Sequence, residues 1–196
     1  MESPLHVINH QYCSRDNINL KVDRDNGATY KDNKKHFSVK KVLLTAHHRR
    51  VLQDAAGNAI VTLYKNKMSL HERWEVYKGE NDDSNNLLFS VREPSMIQRK
   101  VELDVFLAHN KSEGVCDFKI KATQQSCVIF AGKDERIIAE MVKVTNQFFD
   151  ICVHPNIDYA FIVSLGIILD TMIKESHDHP ILIGLGTGIA TGVAIP

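Results

Sequence analysis

A mostly β domain, an antiparallel barrel or curled sheet wrapped around one buried helix, is the fold class this sequence predicts. Three observations carry it. The run from Ala160 to Leu169 is apolar apart from Ser164 and Gly166, with no charge between Asp158 and Asp170. A helix there has no solvent face and must be buried on every side, yet it falls short of the roughly 20 residues a bilayer span needs. Upstream, short alternating segments are separated by turn residues, as in Ile18, Leu20 and Val22 against Asn19, Lys21 and Asp23. Between them no amphipathic helix intervenes, which argues for an antiparallel meander rather than βαβ units. Closing such a meander into a barrel removes its exposed edges.

The elements follow in order. Residues 1–16 lack periodicity and are expected to be a loose arm. Strand 18–22 runs into Asp25-Asn26-Gly27, which supplies the left-handed conformation of a tight hairpin turn. Further strands are expected over 37–44, 51–54, 59–65, 73–77, 87–91, 101–107, 115–121, 126–130, 137–144 and 148–153. The alternation of Cys116, Phe118 and Ile120 with Asp117, Lys119 and Lys121 describes one face on a core and one in water. Turn chemistry separates these runs at Ala56-Gly57-Asn58, at Gly79 with the polar loop 80–86, at Pro94-Ser95, over 109–114 and over 131–134. Pro155 disfavours helix at His154, and Asn156 or Asp158 is placed to cap the helix over about 158–174. Lys174 sits where the helix dipole favours a cation. Residues 17–175 are thus expected to form the domain, and residues 176–196, apolar and glycine-rich after Pro180, a tail outside it.

With 196 residues the chain suits one domain with a substantial core. Lys plus Arg balances Asp plus Glu at 24 each, so no global field recruits nucleic acid or membrane, and any such binding needs local clustering. The start lacks the profile of a secretory signal, there is no glycine after Met1 for myristoylation, and the end is no prenylation box. An intracellular, cytoplasmic protein is expected, peripheral at membranes if it reaches them. Cys13, Cys116, Cys127 and Cys152 are widely spaced and read as reduced thiols, partly in the core. In that compartment the sequon Asn110-Lys111-Ser112 goes unglycosylated.

No constellation for catalysis or metal binding emerges. The nucleophile elbow, the Walker A sequence and the zinc-protease motif are absent. Gly184-Leu185-Gly186-Thr187-Gly188 lacks the third glycine of a dinucleotide loop, with Ile189 and Thr191 in its place and no βα unit after it. Neighbouring His47 and His48 point to opposite faces of a strand, and His177-Asp178-His179 has no cysteine pair to complete a zinc site. Ser69 and His71 share a face if extended, with Glu72 beside them, but nothing marks either as activated; packing and turn roles are favoured. Trp74, Tyr77, Phe106 and Phe118 read as core residues rather than stacking platforms for single-stranded nucleic acid. No cofactor is expected.

The segment Asn66-Lys67-Met68-Ser69-Leu70-His71-Glu72-Arg73-Trp74-Glu75-Val76-Tyr77-Lys78-Gly79 resembles the signature of the plant LURP-one-related family. The likeness continues through Ser95–Gln98, Leu103–Lys111, Cys116–Lys121, Ser126–Val128 with Ala131-Gly132-Lys133, Pro155–Val163 and Ile168-Leu169-Asp170, in the family's order. The resemblance implies a tubby C-terminal-like fold, an antiparallel barrel of about twelve strands threaded by a C-terminal apolar helix. It also implies kinship with tubby proteins and phospholipid scramblases, links to plant defence, and no catalytic role. Three departures predict an open or thinned wall. The first strand is hard to find before Ile18, with Leu5–Ile8 as a remnant; the turn 121–125 is short; and the hairpin between Met141 and Phe148 is reduced.

Basic clusters are the functional feature left. Lys34-Lys35, Lys40-Lys41, Arg49-Arg50 and Lys65 with Lys67 fall in one third of the chain. On a strand Lys65 and Lys67 share a face about 6–7 Å apart, a spacing that suits a phosphorylated head group. Each charge near an anionic membrane adds about 1 kcal/mol. The sequence therefore predicts a non-enzymatic module that binds anionic phospholipid, a phosphoinositide among them, through Lys40, Lys41, Arg49, Arg50, Lys65 and Lys67. The alternatives are a protein-interaction scaffold, a scramblase-like protein using its C-terminal tail, and an enzyme in the barrel mouth; nucleic acid and a transmembrane span are not expected.

Overall fold

The computed structural model describes residues 3–42, 49–66, 73–81, 83–97, 100–112, 114–132 and 135–178. Twelve strands form a closed antiparallel barrel in which each pairs with its chain neighbours and the last with the first. They are β1 Ile18–Asp23, β2 Ala28–Lys31, β3 Lys34–Val42, β4 Arg49–Asp54, β5 Ala59–Asn66, β6 Arg73–Lys78, β7 Leu87–Ile97, β8 Lys100–Leu107, β9 Phe118–Ala122, β10 Ser126–Ala131, β11 Arg136–Lys143 and β12 Phe148–Val153. The helix α1, Tyr159–Asp178, runs through the barrel. Ala160, Phe161, Ile162, Val163, Leu165 and Ile168 are buried around its whole circumference, as a helix without a polar face requires. Phe161 meets Phe89 and Phe118 with ring centroids 5.0 and 4.9 Å apart. The two hydroxyls this burial includes are satisfied within the helix, Ser164 donating to the Ala160 carbonyl and Thr171 to that of Ile167.

The wall is neither open nor thinned, which corrects the expectation drawn from the short hairpins. The β1–β12 seam pairs from Ile18 with Val153 to Asp23 with Phe148. Threonines close both short turns. The Thr123 hydroxyl accepts from the Gln125 and Ser126 amides at 3.2 and 3.1 Å, and that of Thr145 from Gln147 and Phe148 at 3.1 and 3.0 Å. The strand missed in the sequence is β2, short and flanked by turns. Its hairpin depends on Gly27, at φ +69°, where a Cβ would come 3.0 Å from that of Val39.

Two expected boundaries shift for local reasons. Pro94-Ser95, read as a turn, lies inside β7, where the pairing with β8 slips between Arg92 and Ser95; a bulge is one of the few places a strand tolerates proline. The expected strand 115–121 begins only at Phe118, because the Asp117 carboxylate is engaged in closing the preceding loop. It accepts from the Leu107 amide and the Asn110 side chain, both at 2.8 Å.

The N-terminal segment is the larger correction, since it is not a loose arm. Leu5 forms a parallel bridge with Ile157 and Cys13 an antiparallel one with Asp158, while Ile8 and Tyr12 are buried. Leu5–Ile8 is therefore no remnant barrel strand; it packs at the end of the barrel where α1 begins. The Asp158 carboxylate, wholly buried, organises that end. One oxygen accepts from the Val7, Ile8 and Asn9 amides at 3.2, 2.7 and 3.0 Å. The other caps α1, accepting from Ala160 and Phe161 at 3.1 Å each. Of the two candidate caps Asp158 is the one used, while Asn156 adopts φ +62° to turn the chain into the helix. Tyr12, Phe37 and Tyr159 pack edge-on and tilted beside it, with centroids 5.4–5.8 Å apart.

Replacing Asp158 with Ala leaves five amides without their acceptor. It is expected to lower unfolding stability by about 3 kcal/mol or more, read as a reduced urea midpoint. At the same end His36 Nε2 lies 3.0 Å from the Tyr159 hydroxyl. Burial, and then nearby Lys31, holds its imidazole below the ordinary value. The folded state thus prefers the neutral ring, so its contribution is complete above about pH 6.5 and is lost as pH falls from there through the lower folded value. The thermal midpoint should drop between about pH 7 and about pH 5, and drop less in His36→Gln.

Candidate functional site

Antiparallel order sends the ends of β1, β3, β5, β9 and β11 and the starts of β2, β4, β6, β10 and β12 to the same rim, and α1 delivers its C-terminal turns there. At this rim a cavity of about 230 Å³ opens between α1 and the wall. Its body is apolar, formed by Val22, Val39, Met141, Phe149, Ile151 and Val163. Its polar lining includes five cations, Arg24, Lys41, Arg50, Lys143 and Lys174, against the carboxylates of Asp23 and Asp170.

Both carboxylates are already committed. Asp170 holds Arg24 at 2.7 Å and Lys174 at 2.8 Å, and Arg24 lies over the Phe149 ring at 4.8 Å. Asp23 accepts from the Asp25 and Asn26 amides and the Asn26 side chain, fixing the β1–β2 turn. Among the described residues no carboxylate stands within ion-pairing distance of Lys41, Arg50 or Lys143. Lys41 and Arg50 are direct cross-strand partners and both line the cavity. Like charges in that position repel. Burial pushes the half-buried Arg50 guanidinium below its usual value, and the fields of Asp170 and Glu175 draw it partly back.

The six residues predicted to meet lipid are distributed unevenly. Lys41 and Arg50 come together at the cavity, and Lys40 is exposed on the opposite face of β3. Arg49 faces outward, over the Tyr64 ring at 5.7 Å and donating to the Glu80 carbonyl. Lys65 is only 7% exposed and its Nζ lies 2.5 Å from Glu175 at the end of α1. It joins helix to wall and is no free surface cation. Lys67 falls outside the described residues, as do His47, His48, Ser69, His71, Glu72 and residues 179–196 of the expected tail, whose first three residues instead continue α1. Arg24 and Lys143 were not singled out by the sequence, and Lys174 was read only as a cation favoured by the helix dipole. Their signal is topological: each ends a strand or the helix at the rim where Lys41 and Arg50 stand.

Among the described residues no group of three His, Cys, Asp or Glu side chains could hold a metal ion. No helix there is long and apolar enough to cross a membrane. The four cysteines are unpaired, and burial pushes the Cys127 thiol, in the cavity lining, up to about 12. A thiol so disfavoured as thiolate is a packing group rather than a nucleophile.

A closed antiparallel barrel around a buried C-terminal helix, with a cation-lined cavity at one rim, defines the class. The profile of the LURP-one-related family matches residues 17–170. The chain belongs to that family. It is 42% identical over 151 residues to Protein LURP-one-related 15 of Arabidopsis thaliana, covering 72% of this chain and 70% of that one. To Protein LURP1 of the same plant it is 37% identical over 187 residues, covering 86% and 90%. An X-ray structure of an Arabidopsis thaliana protein superimposes with a TM-score of 0.72 at 35% identity, over 86% of this chain and 98% of that one.

Reversing the charge at Lys65 would set two carboxylates side by side at a buried position. Lys65→Glu is expected to cost about 3–5 kcal/mol in unfolding stability. Combining it with Glu175→Lys should restore part of that loss in thermal denaturation, as a direct pair requires.

Proposed function

We propose that this LURP-one-related domain is a non-catalytic binding module whose cationic rim engages the head groups of anionic phospholipid, tethering the protein at a membrane surface. The observation that carries the reading is the trio Lys41, Arg50 and Lys143, gathered at one end of the barrel with no carboxylate within ion-pairing distance among the described residues. With the exposed Lys40 they form a local positive field on a chain whose overall charge is zero. Such patches gain about 1 kcal/mol per charge near an anionic surface. The kinship with tubby proteins and phospholipid scramblases that the sequence implies points the same way, and its link to plant defence supplies a setting in which a tethered module would act.

Of the original six residues, Lys40, Lys41 and Arg50 remain the contact set, joined by Lys143. Co-sedimentation of the full chain with phosphatidylcholine vesicles, with and without phosphoinositide, across a salt series tests the proposal. The expected result is phosphoinositide-dependent binding that weakens as salt rises and is lost when Lys40, Lys41 and Lys143 become Glu. Failure to sediment with phosphoinositide at low salt overturns it. Binding indifferent to head group and salt would also overturn it, in favour of apolar insertion.

A further inference from the structure

We propose that the cavity beside α1 is a binding site for a small amphiphilic monocarboxylate, its apolar body between helix and wall and its carboxylate on Lys41 and Arg50. The inference deepens the reading of the cationic rim and rests on the same two cations. It requires no membrane.

Three independent features of the cavity converge on this chemistry. The first is its shape. An apolar cavity of about 150 Å³ admits benzene; in the same proportion about 230 Å³ accommodates roughly nine non-hydrogen atoms. That is the size of a medium-length alkyl chain or one substituted ring, and too small for the paired acyl chains of a phospholipid. The second is the way the space is kept. Gly166 lies in the middle of α1, where glycine costs about 1 kcal/mol relative to alanine. A Cβ there would come 3.2 Å from Met141 Cε and 3.8 Å from Ile151 Cδ1, at the cavity wall. Its absence lets helix and wall approach at that point without filling the space beside them.

The third is the placement of charge. Lys41 and Arg50 are opposed across β3 and β4, line the cavity, and have no carboxylate partner among the described residues. A half-buried guanidinium opposite an ammonium is unfavourable in the unliganded protein, and an anion at that spot relieves the repulsion. The fork of Arg50 matches a planar carboxylate in two parallel hydrogen bonds, and Lys41 adds a point charge from the other strand. With the apolar floor directly behind, the arrangement selects a molecule with a single anionic end and a hydrocarbon body.

Isothermal titration of the full chain with octanoate, octanol, octylamine and inorganic phosphate tests the site. Octanoate is expected to bind saturably with one equivalent, octanol at least about tenfold more weakly, and octylamine and phosphate without saturation. Arg50→Gln should lose at least about tenfold in octanoate affinity while its thermal midpoint equals or exceeds that of the unmodified protein, because the variant removes the repulsion along with the receptor. Lys41→Gln should move both readouts in the same directions. No saturable octanoate binding by the folded protein overturns the inference. So does octanol or phosphate binding as tightly as octanoate, or octanoate binding unchanged in Arg50→Gln. Vesicle co-sedimentation run alongside separates the two proposals. Octanoate binding without vesicle binding retains the cavity and removes the membrane reading, and the reverse result does the opposite.

Discussion

The buried carboxylate of Asp158 is the contact on which the rest of the domain depends. An apolar helix inside a barrel gains from hydrophobic burial whatever its depth or rotation, because burial has no direction. Hydrogen bonds do have direction. Asp158 takes the first turn of α1 on one oxygen and three consecutive amides of the N-terminal segment on the other. A single side chain thereby fixes where the helix starts and ties down the segment that covers the end of the barrel. The negative charge also sits at the positive end of the helix dipole, where it is favoured. Everything farther along α1, including the height at which Asp170 and Lys174 reach the opposite rim, is measured from that point.

The two ends of the barrel are consequently unlike in kind. At the start of α1 polar groups are matched, aromatic rings of Tyr12, Phe37 and Tyr159 fill the space, and the N-terminal segment packs across. At the far rim Asp170 is saturated by Arg24 and Lys174, and the surplus of positive charge falls on Lys41, Arg50 and Lys143. With the wall closed, the rim and the cavity behind it are the part of this domain open to a ligand.

Lys65 shows how far residue type alone can be trusted. As one of a pair of strand lysines it read as a surface cation suited to a head group. Strand parity, however, put its side chain inside the barrel, against Glu175 on the last turns of the helix. Lys41 and Arg50 have the same inward parity and the opposite fate, because neither Asp170 nor Glu175 on α1 lies close enough to pair with them. Thr123 and Thr145 teach a related lesson about the short hairpins: a turn reduced in length still closes the wall when its hydroxyl satisfies the amides that follow.

The sequence by itself determined the class of fold, the position of the central helix and the positions of most strands. These rest on period-two and all-round apolar patterns that are local and survive any change of partner. It also carried the family signature over most of the domain. Tertiary structure alone decided that residues 5–13 pack against the helix start, since the amides of Val7, Ile8 and Asn9 become a site only when Asp158 is brought to them from 149–151 positions away. It likewise decided which cations are paired, and gathered Arg24, Lys41, Arg50, Lys143 and Lys174 around one cavity. Charge pairing depends on distances between strands and helix, and no periodicity along the chain encodes those distances.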